Sequence, residues 1–286
     1  MSSWSARVLG SLLVATLVLA LAPAAFAGGG GGPTGDSCGL FQGSTRAFFL
    51  INDNVTGAAV AVQDTFGPSG SDLDPLPRDF NNDGTDTFAV YRHSSGEFFL
   101  KNSNSGGAAD QTVRFGAADR QAPASPLIGL SGDWNGNGSA GIGLYDPDAS
   151  VFYLQNTPAN GGQVDAVIEL GNGGQGLLPV VGDFDGDGTD EVGVYLPASG
   201  QFALKADNTQ GAAVNAFRFG GQGTSNLPSA GDFDNDGTDT VALYVPGART
   251  FFAASANSDG GGSVNVFKFG GSDPTNEPVC GDWDGM

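Results

Sequence analysis

Lysine is nearly absent from this chain: Lys and Arg together number 11 against 31 acids, and the formal net charge is −20. That balance leaves no basic patch for nucleic acid, and an anionic membrane surface would repel it. Histidine occurs once, at His93, and cysteine twice. Two Cys permit a single intramolecular disulfide. Neither has a neighbouring base to activate it as a nucleophile, and the chain has no G-x-S-x-G elbow and no zinc-ligand spacing. Helical periodicity is also missing, and no apolar run after residue 27 is long enough to span a membrane.

Residues 1–27 read as an exported leader. Arg7 supplies the positive start, Val8 to Leu21 is apolar, and Ala25-Phe26-Ala27 is an A-x-A site, so cleavage is expected after Ala27. The other reading of this run is a retained anchor. Residues 28–35 form a Gly-rich leader, which leaves 36–286 for the folded unit.

What the chain does contain is a repeat. "RDFNNDGTDTFAVY" (78–91), "GDWNGNGSAGIGLY" (132–145), "GDFDGDGTDEVGVY" (182–195) and "GDFDNDGTDTVALY" (231–244) are near-copies, and a terminal "GDWDGM" begins a fifth. The leading acids Asp79, Asp133, Asp183, Asp232 and Asp282 are spaced by 54, 50, 49 and 50 residues. A period near fifty points to a propeller or a solenoid. Within one repeat, "LPVVGDF", "VGVYLP", "QFALKA" and "NAFRFG" read as four short strands broken by Gly, Pro, Ser and Asn. Four strands make one antiparallel blade, whose faces must be covered by its neighbours. "CGLFQGSTRAFFLINDN" (38–54) aligns on 192–208 and "AVAVQDTFG" supplies a fourth strand, so the missing first strand is "PVCGDW" at 278–283. The expected fold is therefore all-β, a five-bladed propeller closed by both termini in one blade. The aromatic at the second loop position (Phe80, Trp134, Phe184, Phe233, Trp283) is expected to pack between blades rather than to stack on a sugar.

Carboxylates at loop positions 1, 3 and 5 can converge on a hard cation if a Gly at position 6 allows the turn, and the carbonyl at position 7 adds an oxygen. The loops and their strands resemble the FG-GAP/VCBS-type repeats of calcium-binding propellers, most closely the secreted bacterial version. The likeness covers 36–286, and it implies that each loop joins the first two strands of a blade and binds Ca2+. The integrin α-subunit version carries its last ligand at position 9. Here that place holds Thr87, Gly141, Glu191 and Thr240, and the last acid stands at position 8. The sites expected on this reading are Asp183, Asp185, Asp187, Thr189 and Asp190 in one loop, and Asp232, Asp234, Asp236, Thr238 and Asp239 in the next. Asp79, Asn81, Asp83, Thr85 and Asp86 form a third. The loop of Asp133, Asn135 and Asn137 has Ala140 for its last acid and should bind weakly. Asp282, Asp284 and Asp36 should rebuild a partial fifth loop from both ends of the chain, with Met286 where Asp187 stands. In the expected readings Asp86, Asp190 and Asp239 turn into their own loops. The competing reading is a set of Asx-rich turns without metal.

Cys280 aligns with Val181 on the strand entering a loop and Cys38 with Val192 on the strand leaving it. These are cross-strand positions, so a disulfide is expected although 242 residues separate them. The alternative is a chain truncated in its last loop with two free thiols. For function, a secreted, non-catalytic, calcium-binding module is expected, monomeric, recognising an extracellular protein or glycan. The alternative is a secreted glycoside hydrolase or other hydrolase on the propeller's central face. His93 reads as a solvated turn residue, and the unrepeated candidates for a catalytic acid, Glu97, Glu169 and Glu277, are not brought together by the sequence.

Overall fold

The computed structural model describes residues 35–70, 72–116, 125–223 and 225–285, and of Val264 the backbone alone. The leader and its cleavage site, as well as Met286, lie outside the described residues. Among the described residues there is no helix, and so none long and apolar enough to cross a membrane.

Five four-stranded antiparallel sheets follow one another along the chain. The first blade takes β1 (Ser37–Gln42), β2 (Ala47–Leu50) and β3 (Val62–Thr65). The second holds β4 (Leu73–Pro75), β5 (Ala89–Arg92), β6 (Glu97–Leu100) and β7 (Gln111–Arg114). The third holds β8 (Ile128–Gly132), β9 (Gly141–Asp146), β10 (Val151–Gln155) and β11 (Ala166–Glu169). The fourth holds β12 (Leu178–Gly182), β13 (Glu191–Leu196), β14 (Gln201–Leu204) and β15 (Asn215–Arg218). The fifth holds β16 (Leu227–Gly231), β17 (Thr240–Val245), β18 (Thr250–Ala254) and β19 (Ser263–Lys268). Last, β20 (Asn276–Gly281) pairs with β1 in the first blade, in a register that sets Cys38 opposite Cys280. The structure is thus the five-bladed propeller that the spacing predicts. The two Cys are joined, with Cα atoms 4.0 Å apart.

Each blade is pinned internally by one aromatic pair facing across its second and third strands. The pairs are Phe41–Phe48, Tyr91–Phe98, Tyr145–Phe152, Tyr195–Phe202 and Tyr244–Phe251, with ring centroids 4.5–4.8 Å apart. All ten rings are essentially inaccessible, so truncating one to Ala should cost about 3–5 kcal/mol. Between blades lie five apolar clusters, each built from two neighbours. Trp134 of the third blade packs with Val192 and Val194 of the fourth, and Trp283 with Phe88 and Val90 of the second. Phe184, Phe233 and Phe80 do the same at the other three junctions. The second loop position is therefore an inter-blade anchor, as its recurrence suggests.

Outer strands would otherwise expose unpaired backbone, a template for aggregation. A neighbouring loop bonds to a backbone N–H of four of them and to a side chain of the fifth. Asn160 accepts the N–H of Arg114, Asp259 that of Arg218, Thr56 Oγ1 that of Lys268 and Gln210 that of Glu169, while Asp64 accepts from Gly106.

Candidate metal centres and the axial ring

The acidic loops sit between the first and second strands of each blade, at one end of the central axis. In every loop the first Asp organises the turn from inside. Asp183 Oδ1 accepts the N–H groups of Gly186 (2.7 Å) and Asp187 (3.1 Å), and Oδ2 that of Gly188 (2.8 Å). Asp232, Asp79 and Asp133 make the equivalent bonds to Gly237, Gly84 and Gly138 at 2.9, 2.7 and 2.6 Å. Gly188, at φ +89°, is in the left-handed region that a side chain resists, which is why the loop needs Gly there.

Two loops bring three carboxylates together. Oxygens of Asp183, Asp185 and Asp187 lie within 4.8 Å of one another, as do those of Asp232, Asp234 and Asp236. Burial, opposed by backbone hydrogen bonds and aided by Asp187, pushes the Asp183 carboxyl up. Burial and then Asp236 and Asp232 do so for Asp234. In the Asp79 loop Asn81 Nδ2 donates to Asp83 (2.9 Å), an amide–carboxylate contact in place of a carboxylate pair. In the Asp133 loop Asn137 Oδ1 accepts from Ser139. In the terminal loop Asp282 accepts from Asp284 and Gly285, and Asn52 donates to Asp284. Thr189, Thr238 and Thr85 each donate their N–H to the position-5 Asp.

The acid at position 8 does something other than expected. Asp190 does not turn into its own loop: its Oδ2 accepts the N–H of Asp133 in the preceding blade (2.7 Å), and its own N–H donates to the Asp133 carbonyl (2.9 Å). Asp239 clamps Asp183 in the same way, Asp36 clamps Asp232, and Asp86 clamps Asp282. Ala140 keeps the backbone half of this clamp, to the Asp79 carbonyl at 2.7 Å, and lacks the carboxylate half. The early last acid is thus a blade-to-blade clamp, and Asp36, Asp86, Asp190 and Asp239 are corrected from loop ligands to members of an axial ring. A two-point hydrogen bond across a rigid junction outcompetes a turn into a loop already organised by its first Asp.

Among the described residues the ring has one cation, which the repeat pattern does not single out. Before the first Asp the other blades carry Gly132, Gly182, Gly231 and Gly281, and a Cβ on Gly182 or Gly231 would stand 2.6 or 2.7 Å from Asp239 or Asp36. The second blade carries Arg78 there, in the blade whose clamp partner is Ala140. Arg78 and Ala140 line the same axial space, so a missing carboxylate and an added guanidinium occur together. Arg78 Nε lies 3.5 Å from Asp190 Oδ2 and Nη1 3.8 Å from Asp86 Oδ2. Desolvation opposes its charge, but Asp190, Asp86, Asp239 and Asp36 outweigh it and hold the guanidinium above its ordinary pKa. Burial pushes Asp36 up to about 6 and Asp86 up to about 8, with Arg78 pulling both back, and raises Asp239 as well. Four Asn also went unnoticed at a constant spacing of 18. Asn54, Asn104, Asn208 and Asn257 each donate Nδ2 to the carbonyl of the clamp residue in their blade.

Glu191, at position 9 of one loop, is the residue closest to a further ligand. It is buried, its Oε2 accepts the Phe184 N–H (3.1 Å), and its Oε1 has no hydrogen-bond partner among the described residues. Burial, then the charges of Asp185, Asp183 and Asp187, push it up to about 8. An orphaned buried oxygen coupled to three carboxylates fits the donor set of a hard divalent cation.

Away from the loops, a cavity of about 1000 Å³ opens between the second and third blades. Phe115, Tyr153 and Leu144 give it apolar walls, and Glu97, Arg114 and Asn160 polar ones. Glu97 pairs with Arg114 at 3.1 Å. Glu169 lies on an outer strand and Glu277 at the far end of the axial channel, so these three glutamates do not meet. His93 is corrected from a solvated turn residue: it is half-buried, and its Nε2 lies 2.8 Å from Asp74 Oδ2.

No family model and no curated protein matches the chain. Among solved structures it is similar to an Agrocybe aegerita lectin described as specifically recognising non-reducing terminal N-acetylglucosamine. Identity is 17% over 72% of this chain and 55% of that one, with a TM-score of 0.44.

Proposed function

We propose that this protein is an exported, non-catalytic binding module whose acidic loops are ordered by Ca2+ and whose ligand is a glycan. The observation that carries it is the pair of Asp triads, each with its first carboxylate already fixed by backbone N–H groups and the next two brought alongside. Like charges held this close favour occupation by a divalent ion, and Ca2+ accepts the six to eight oxygens that carboxylates, carbonyls and water supply. Asp183, Asp185, Asp187 and Glu191 would hold one ion, and Asp232, Asp234 and Asp236 another. The terminal disulfide accords with an oxidising, extracellular setting.

The inter-blade cavity supports the ligand class. Aromatic faces suit the C–H face of a pyranose, and the carboxylate, guanidinium and amide suit its hydroxyls. The acids of the loops follow a structural repeat, which favours binding over turnover. Calorimetric titration with Ca2+ and a glycan-array screen with and without chelator test the reading. Calcium heat that disappears in Asp185→Ala, with array binding lost in Tyr153→Ala, is the expected result. No calcium heat and no array binding, or hydrolysis of a bound saccharide, would sink it.

A further inference from the structure

The end of the axial channel opposite the acidic loops breaks the repeat in two adjacent blades. At the position four residues before the loop Gly or Arg78, three blades carry Ile128, Leu178 and Leu227, while the other two carry Asp74 and Glu277. All five line one cavity of about 270 Å³, the remainder of which is mainly Pro, Gly and Leu. The two acids are not equivalent. Asp74 Oδ2 accepts the Gly129 N–H at 2.8 Å and faces His93 Nε2 at 2.8 Å. The Glu277 carboxyl makes no hydrogen bond or ion pair among the described residues. It lies deep among protein atoms yet opens on the channel. Burial and then Asp74 push it up to about 8, with His93 pulling it back. Those two are the titratable groups that act on it, and the facing β8, β12 and β16 contribute only aliphatic side chains, Gly and Pro to the cavity.

An aliphatic residue closes this layer in three blades, so packing alone does not call for an acid. One imidazole stands against two carboxyls, and the second carboxyl is left without a donor in a desolvated place, which is costly. We propose that this end of the channel is a binding site for an organic cation on an aliphatic stem, a primary ammonium or guanidinium such as a lysine or arginine side chain presents. Glu277 is its counter-charge, and Ile128, Leu178 and Leu227 wall the stem. Binding moves one proton from the Glu277 carboxyl to solvent, so affinity rises with pH until that carboxyl is ionised in the free protein.

The test is calorimetric titration of the full propeller with n-butylammonium chloride and with Nα-acetyl-lysine amide. n-Butanol serves as the neutral isostere, and N-acetylglucosamine as a sugar control. The ammonium compounds should bind at about pH 8.5, and about tenfold or more weakly at about pH 6, the ratio set by protonation of one group. Glu277→Gln, which keeps the shape of the neutral acid, should lose at least about tenfold, since one charge-assisted contact is removed. Glu277→Leu, the residue type of Leu178 and Leu227, should lose as much while folding, and Asp185→Ala should leave this binding unchanged. Absence of ammonium binding overturns the proposal, as does affinity undiminished from the parent protein in the Glu277 variants, equal affinity at both pH values, or equal affinity for n-butanol. Glu277-dependent binding of the sugar without the ammonium overturns it in favour of a saccharide site. Calcium heat and array binding report on the other sites, so either reading can fail alone.

Discussion

Replacing Arg78 with Met removes the only cation of the axial ring among the described residues and keeps most of its stem. The Arg78 side chain is 14% exposed, and its guanidinium faces Asp190 and Asp86 at 3.5 and 3.8 Å. Removing one partner of a buried pair costs about 3–5 kcal/mol, because the remaining charges lose their compensation. At about 2–4 °C per kcal/mol for a chain this size, the melting temperature should fall by roughly 6–20 °C near neutral pH. The pH dependence separates charge from packing. Asp36 and Asp86 have folded-state pKa values of about 6 and about 8, above the ordinary 3.8. Groups raised in this way contribute fully below the unfolded pKa, and their contribution is lost as pH climbs through the folded value. Arg78 limits that loss by pulling both values down. Without it they rise further, so the variant's deficit should be small at about pH 4.5 and should grow to about pH 9. Scanning calorimetry across that range, with chelator present to keep the loops metal-free, measures it. A deficit of the same size at both ends would falsify the electrostatic account and leave Arg78 as packing.

Replacing both Cys38 and Cys280 with Ser should destabilise by about 5 kcal/mol, the loop-entropy value for so long a span, read as a lower urea midpoint. An unchanged midpoint would mean that the β1–β20 pairing alone keeps the ring shut. Asp185→Ala should weaken calcium binding more than Asn135→Ala, and Glu191→Gln should weaken it at the Asp183 loop; titration giving three equal isotherms would contradict the ranking. Glu277, at about 8 in the fold against the ordinary 4.5, contributes fully below about pH 4.5 and loses that contribution between about pH 4.5 and 8. Glu277→Gln should therefore match the parent protein near pH 4.5 and exceed it in melting temperature above pH 8, and a gap independent of pH would refute this. Tyr195→Ala should cost about 3–5 kcal/mol through its lost contact with Phe202, measured by denaturant unfolding.

A repeat of about fifty residues, four strand-like segments per unit and a first blade lacking one strand were enough to determine a closed five-bladed ring. The pairing of Cys38 with Cys280 followed from aligning the repeats. All of these are consequences of local patterning copied five times, since each blade can bury its faces only against another. The Asp triads were legible for the same reason, because positions 1, 3 and 5 of one loop are near in sequence and in space. What Asp36, Asp86, Asp190 and Asp239 do was decided by the tertiary structure. Their partners belong to the neighbouring blade, 56 residues away for Asp239 and 196 for Asp36, and a motif read within one loop says nothing about the next. Arg78 beside Ala140, and Asp74 with His93 and Glu277, depend in the same way on closure of the ring. Only there do single departures from the repeat, scattered along the chain, meet on one axis, where low polarity makes each unpaired charge count.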